Sequence, residues 1–265
     1  MSLPSTINSS IYAKYAAGPV LEVSPRWVRV KFGGEIIADS KQVLLFRQYG
    51  PNHLLPAYYF PLADVRMAAL RPSSGKSQTS DMQYWTVSVG DQLAEKAAWT
   101  CLEPPAELAA LKGYISFKWD AMEAWYEEEE EVFVHARDPY KRVDVMPSSR
   151  HVRVVMAGET VAESRRPYLL FETSLPTRYY LPREDVRLDL LEPSGLKTRC
   201  PYKGIASYWS VKIGDQMFKN VIWSYPDPIP ENPKIKNLMC FFNERVDLYV
   251  DGELQPRPQT PWSVK

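Results

Sequence analysis

The chain has 265 residues, 45% of them apolar and 24% charged, enough for one large domain or two ordinary ones with real cores. Its 32 Lys and Arg balance 32 Asp and Glu, so no basic excess marks a dedicated nucleic-acid or anionic-membrane binder. No apolar run reaches the roughly 18 residues of a membrane span, and the polar start Met1–Ser10 lacks a secretory-signal pattern.

Cys101, Cys200 and Cys240 form neither a closed disulfide set nor a C-x-x-C pair. With His53, His135 and His151 they are too scattered for a structural zinc site. The expectation is a cytoplasmic protein with reduced thiols, no metal and no cofactor.

The predicted elements are strands. Val28-Arg29-Val30-Lys31-Phe32 alternates apolar and polar, then meets Gly33-Gly34 and Ile36-Ile37-Ala38, a hairpin signal in which the glycines supply positive φ. Glu107–Lys112 reads as a short helical turn. Glu127–Glu131 reads as a solvated strand end, because like charges repel and resist packing. Val132-Phe133-Val134-His135 is too apolar for a free linker and is expected to pack on a domain. Val186, Leu188 and Leu190 alternate with Arg187 and Asp189, as do Trp209, Val211 and Ile213 with Ser210 and Lys212. Both patterns predict half-buried strands. Pro226, Pro228, Pro230 and Pro233 mark a long irregular connection.

Much of this pattern occurs twice. Arg26-Trp27-Val28-Arg29-Val30 returns as Arg150-His151-Val152-Arg153-Val154, and Tyr84-Trp85 through Gly90-Asp91 as Tyr208-Trp209 through Gly214-Asp215. Trp99 returns as Trp223, and all these pairs share an offset of 124 (150−26, 209−85, 223−99). Tyr58-Tyr59-Phe60-Pro61 matches Tyr179-Tyr180-Leu181-Pro182 at an offset of 121 (179−58). Several matches in one order mean duplication. The expected organisation is an all-β chain with a first repeat at 20–130, a packed linker at 131–147 and a second repeat at 148–256.

The stretch Thr198-Arg199-Cys200-Pro201-Tyr202-Lys203-Gly204-Ile205-Ala206-Ser207-Tyr208-Trp209 resembles the signature of the domain-of-unknown-function family numbered 427. Tyr168–Glu172, Tyr179–Pro182 with Asp185-Val186, and the linker His135–Asp144 are similar to that family too. The resemblance implies two tandem β-tent-like domains, each with antiparallel sheets meeting at an angle and a pocket between them. Zinc chemistry known for that architecture does not carry over, since the cysteine pairs are missing. The family's nucleotidyltransferase-like label finds no support in a Gly-rich phosphate loop or a clustered Asp pair.

Cys200 and Lys203 stand three residues apart with Arg199 adjacent, and a thiol beside cations is a better nucleophile. Pro201 pushes Cys200 toward extended geometry, and Gly204 allows a sharp turn that points Lys203 inward. Lys203 is suited to hold an anion or, once desolvated, to act as an amine nucleophile. Tyr208, Trp209 and Trp223 are the expected aromatic wall. Glu172 and Arg187 are further candidate ligand contacts, with a strand-side charge ladder as the bland alternative. His135 with Asp138 is a candidate general base if the linker folds over the second pocket. Cys101 and Cys240 read as core.

Counting back from the shared Tyr-Trp, Cys200 falls opposite Lys76, Lys203 opposite Thr79 and Gly204 opposite Ser80. The first copy thus lacks the Cys-Pro-Tyr-Lys-Gly stretch, which assigns the site to the second. The leading expectation is a small-molecule-binding protein, with or without catalysis, and no nucleic-acid or membrane partner. The rival is a non-catalytic interaction or scaffold module; a nucleotide-handling enzyme stands third.

Overall fold

The computed structural model describes residues 18–49, 54–73, 81–260 and 263. The chain divides into two units, Met1–Asp138 and Pro139–Lys265. The first holds strands β1 (Gly18–Val23), β2 (Val28–Phe32), β3 (Glu35–Ser40), β4 (Leu44–Tyr49), β5 (Leu54–Pro61), β6 (Leu70–Pro72), β7 (Met82–Val89), β8 (Gln92–Cys101), β9 (Tyr114–Phe117), β10 (Ala124–Glu127) and β11 (Glu130–Glu131). The second holds β12 (Val143–Pro147), β13 (Val152–Met156), β14 (Glu159–Ser164), β15 (Tyr168–Glu172), β16 (Arg178–Leu181), β17 (Leu191–Cys200), β18 (Gly204–Ile213), β19 (Gln216–Ser224), β20 (Met239–Phe241), β21 (Asp247–Val250) and β22 (Glu253–Leu254).

Each strand of the first unit has its counterpart eleven strands later. A seven-stranded antiparallel sheet runs β1-β4-β5-β9-β8-β7-β6 in one unit and β12-β15-β16-β20-β19-β18-β17 in the other. A four-stranded sheet runs β11-β10-β2-β3 and, matching it, β22-β21-β13-β14. The fold is all-β and duplicated, as the repeat predicts. Polar fastenings are duplicated too. Ser40 Oγ donates to Asp64 at 2.6 Å, and Ser164 Oγ to Asp185 at 2.7 Å. Trp99 Nε1 donates to the Tyr59 hydroxyl at 3.2 Å, and Trp223 Nε1 to Tyr180 at 3.0 Å.

Strand alternation divides the second unit's side chains between two cores. Val152, Val154 and Leu248 of the smaller sheet pack against Leu181, Val211, Ile222, Met239 and Phe241 of the larger one. The opposite face of the larger sheet carries Leu170, Tyr180, Ala206, Trp223, Tyr225 and Cys240. Ile235, from the proline-rich connection, packs on that outer face. The space between the sheets is therefore filled with apolar side chains. This corrects the expectation of a pocket there.

Other expectations also change. Val186 makes only an isolated bridge to Ala162, and Leu188–Leu190 is a single 3-10 turn. That stretch is the corner between the two sheets, and the equivalent Met67–Ala69 turns the same way. Glu127 is not solvated: it is buried, accepting from the Tyr58 hydroxyl at 2.9 Å and the Arg137 amide at 3.0 Å, with the Arg26 guanidinium also 3.0 Å away. These bonds fasten the segment after β11 to the first unit, where Val132 and Ala136 are buried. Cys240 is fully buried, but Cys101 only half. The expected helical turn is present as Ala106–Leu111.

Candidate functional site

Strands β17 and β18 are joined by the tight hairpin Cys200–Gly204, in which Cys200 pairs with Gly204. Gly204 sits at φ +103°, a conformation that side chains rarely adopt. A Cβ there would also lie 3.2 Å from the Asp227 carbonyl oxygen. The close approach is used: the Ile229 amide donates to the Lys203 carbonyl at 3.2 Å, and Asn232 Nδ2 to the Tyr202 carbonyl at 2.8 Å. The proline-rich connection thus clamps the hairpin from one side.

The hairpin turns Lys203 inward, where its residue is only 8% exposed. Its Nζ meets Glu172 Oε2 of β15 at 2.5 Å, and Lys141 Nζ lies 3.3 Å from the other oxygen, Oε1. Lys141 also donates to the Thr173 carbonyl at 2.9 Å. Burial by itself pulls the Lys203 ammonium toward neutrality, but the Glu172 charge and the neighbouring Cys200 outweigh it, and its pKa stands above the ordinary lysine value. Burial likewise disfavours the Glu172 carboxylate, yet Lys203 and then Lys141 hold its pKa below the usual range. The ion pair with Glu172 thus favours the ammonium form of Lys203, which suits an anchor or hydrogen-bond donor better than an amine nucleophile.

Register brings a row of groups onto the same outer face. Tyr180 pairs with Cys240, Cys240 with Trp223, and Trp223 with Tyr208. Cys200 shares that face, two residues from Thr198, whose hydroxyl bonds the Tyr208 hydroxyl at 2.8 Å. Cys200 is half-buried beside the Lys203 ammonium. Further along the sheet Arg178 grips Glu244 with two 2.7 Å bonds, and both side chains are buried. Thr260 donates to the same carboxylate at 2.5 Å.

Among the expected site residues, Lys203 meets Glu172 with Cys200 beside it, and Tyr208 and Trp223 lie on the same outer face of the sheet. Trp209 does not: adjacent strand residues face oppositely, so it packs on the inter-sheet core. Arg187 is exposed at the sheet corner and paired with Asp189 at 2.6 Å. His135 belongs to the first unit, its Nδ1 2.7 Å from the Ala136 carbonyl oxygen, and Asp138 is buried there. The sequence reading missed Lys141, Tyr180, Tyr225 and the Arg178–Glu244 pair. Period-two spacing from Arg178 to Tyr180 was the available signal for that strand.

Two surface depressions lie elsewhere. One of about 300 Å³ is lined by Val143–Met146 and Glu231–Lys234, and one of about 410 Å³ by Ile36–Asp39 and Ala63–Arg66. Among the described residues no three His, Cys, Asp or Glu side chains gather as a metal site, and no helix is long and apolar enough to cross a membrane.

Two antiparallel sheets per domain, in two copies, with a charged thiol hairpin on one of them, define a duplicated β-domain protein. The family model described as a domain of unknown function, DUF427, matches residues 20–128 and again 144–252, and the chain belongs to that family. No curated protein matches it.

Proposed function

We propose that the second domain carries a small-molecule site on the outer face of its larger sheet, with Cys200 as the reactive or anchoring group. Glu172 fixes Lys203 as a cation beside the sulfur. Tyr208, Tyr225 and Trp223 form the aromatic surround. One observation carries this reading. The two copies share their strands and fastenings, yet the Glu172–Lys203 and Arg178–Glu244 pairs belong to the second only, while the first buries Glu127 and Arg47 at other positions. At the offsets of the repeat, Glu172 corresponds to Gln48 (172−124), Arg178 to Ala57 (178−121), Lys203 to Thr79 (203−124) and Cys200 to Lys76 (200−124). Thr79 and Lys76 lie outside the described residues. A buried ion pair is a costly way to build a core, and the first copy folds on the same plan with an amide at the carboxylate's position. Three unpaired cysteines suit a reducing, cytoplasmic setting in which Cys200 stays free.

Site-resolved thiol labelling of the folded chain at neutral pH tests the reading. Cys200 is expected to react first. Cys101, equally half-buried, has its thiol pKa raised by burial and then by the Asp81 charge. Cys240 should stay silent, being fully buried with its pKa pushed far up. Equal, slow labelling of all three would remove the functional thiol and leave a scaffold module.

A further inference from the structure

Beyond the Cys200 reading, we infer that the depression between edge strand β12 and Glu231–Lys234 binds apolar α-amino acids, Lys234 meeting the carboxylate and the Asn232 amide oxygen the ammonium group. The cavity holds about 300 Å³ and lies wholly within the second domain. Asn232 lines it while only 6% exposed. It stands directly before the 3-10 turn Pro233–Ile235, where an Asn side chain commonly accepts from the turn's amides, but it makes no such bond. Instead its Nδ2 donates to the Tyr202 carbonyl at 2.8 Å, which fixes the orientation of the amide. The amide oxygen accepts no hydrogen bond among the described residues, and it is not sealed in the core. An acceptor this deep in the protein gains from a partner that brings a donor through the depression.

Lys234 supplies the opposite charge. Its Nζ donates to the Val145 carbonyl at 3.1 Å and meets no carboxylate among the described residues. An ammonium group has three N–H bonds, so two remain for a ligand. Asp144 and Glu231 line the same depression, and Arg142 already engages Asp144 at 2.7 Å. Two carboxylates against one lysine disfavour a phosphate dianion, and the lysine disfavours a plain amine. A zwitterion answers both charges. The volume lies at the small end of the roughly 300–1,000 Å³ of ligand pockets, which suits an amino acid better than a nucleotide. Val143, Met146 and Pro233 give the wall its apolar part. The repeat separates site from fold here too. At the offset of 124, the buried Ile235 keeps an apolar counterpart in the buried Leu111, whereas Asn232 corresponds to Leu108 and Lys234 to Ala110.

Calorimetric titration of the whole chain tests this with L-leucine, with isocaproate, which lacks the amine, and with isoamylamine, which lacks the carboxylate. Leucine should bind with a dissociation constant of about 1 mM, as fits a few contacts in a surface depression. Each analogue should bind about tenfold more weakly, the scale of one hydrogen bond to a charged group. Lys234→Gln keeps a donor for the Val145 carbonyl and removes the charge. It should weaken leucine about tenfold and leave isoamylamine unchanged. Asn232→Ala should bring leucine down to the level of isocaproate. That variant also loses the Tyr202 contact, so its thermal unfolding is measured alongside; if it does not fold, the analogues and Lys234→Gln decide. No binding of leucine at about 10 mM would overturn the inference. So would leucine binding no better than both analogues, or an affinity that Lys234→Gln leaves intact. Tighter binding of inorganic phosphate than of leucine would replace it with an anion site.

Discussion

Glu172 is held by two ammonium groups, while Lys203 is held by one carboxylate and a sulfur, so the two residues should tolerate loss unequally. Glu172→Gln leaves Lys203 and Lys141 facing a neutral amide, and breaking a buried pair in this way costs about 3–5 kcal/mol. Lys203→Met leaves the carboxylate its Lys141 partner 3.3 Å away and should cost less. Urea unfolding of the two variants gives the order, and the reverse order would mean that Lys141 contributes nothing. The pair also sets a pH window. The native Glu172 pKa lies below its ordinary 4.5, so its contribution is complete above that value and disappears as pH falls through the lowered native pKa. The native Lys203 pKa lies above its ordinary 10.5, so its contribution is complete below that value and disappears as pH rises through the raised one. The stability gap between wild type and Glu172→Gln should therefore be flat across neutral pH and close in acid. A gap that persists well below the carboxylate range would show that the loss comes from packing and not from charge.

At the level of elements, the β17–β18 hairpin depends on one glycine. Gly204→Ala must place a Cβ at φ +103° and 3.2 Å from the Asp227 carbonyl oxygen, whereas Gly214, at φ +55°, has nothing within 4 Å of its added Cβ. Gly204→Ala should cost about 1–3 kcal/mol and loosen the Lys203–Ile229 bond; Gly214→Ala should cost less. Equal losses in thermal unfolding would mean that the proline-rich connection yields easily. The strands were legible from period-two alternation, as in Val152–Met156, whose burial does alternate. The hairpin was legible from Cys-Pro-Tyr-Lys-Gly. The Glu172 contact was not, because β15 and the β17–β18 hairpin are 31 residues apart and not neighbours in the sheet. Parity misled for Trp209: it was grouped with Tyr208, although adjacent strand residues must face opposite ways. The corner at Leu188–Leu190 mimicked a strand because three apolar residues at period two also fit one turn between sheets.

At the scale of the whole molecule, duplication separates what folds the domain from what occupies it. Every sheet draws its strands from one unit only, and each unit closes its own apolar core around residues such as Val28 and Phe60 in the first and Val152 and Leu181 in the second. The hydrogen bonds and apolar burial that stabilise a β domain are therefore complete within 139–265. Lys141, Glu172, Cys200, Lys203 and Tyr225 all fall inside that span as well. A fragment of residues 139–265 should accordingly fold by itself, unfold in one cooperative transition, and show about half the urea dependence of the intact chain, since that slope follows the surface exposed. Its Cys200 should label at the rate seen in the whole protein within about twofold, a difference of less than 0.5 kcal/mol in barrier. A fragment that folds but loses fast Cys200 labelling would mean that the first domain completes the site. One that fails to fold would mean that the copies, though each has its own sheets and core, are stable only together.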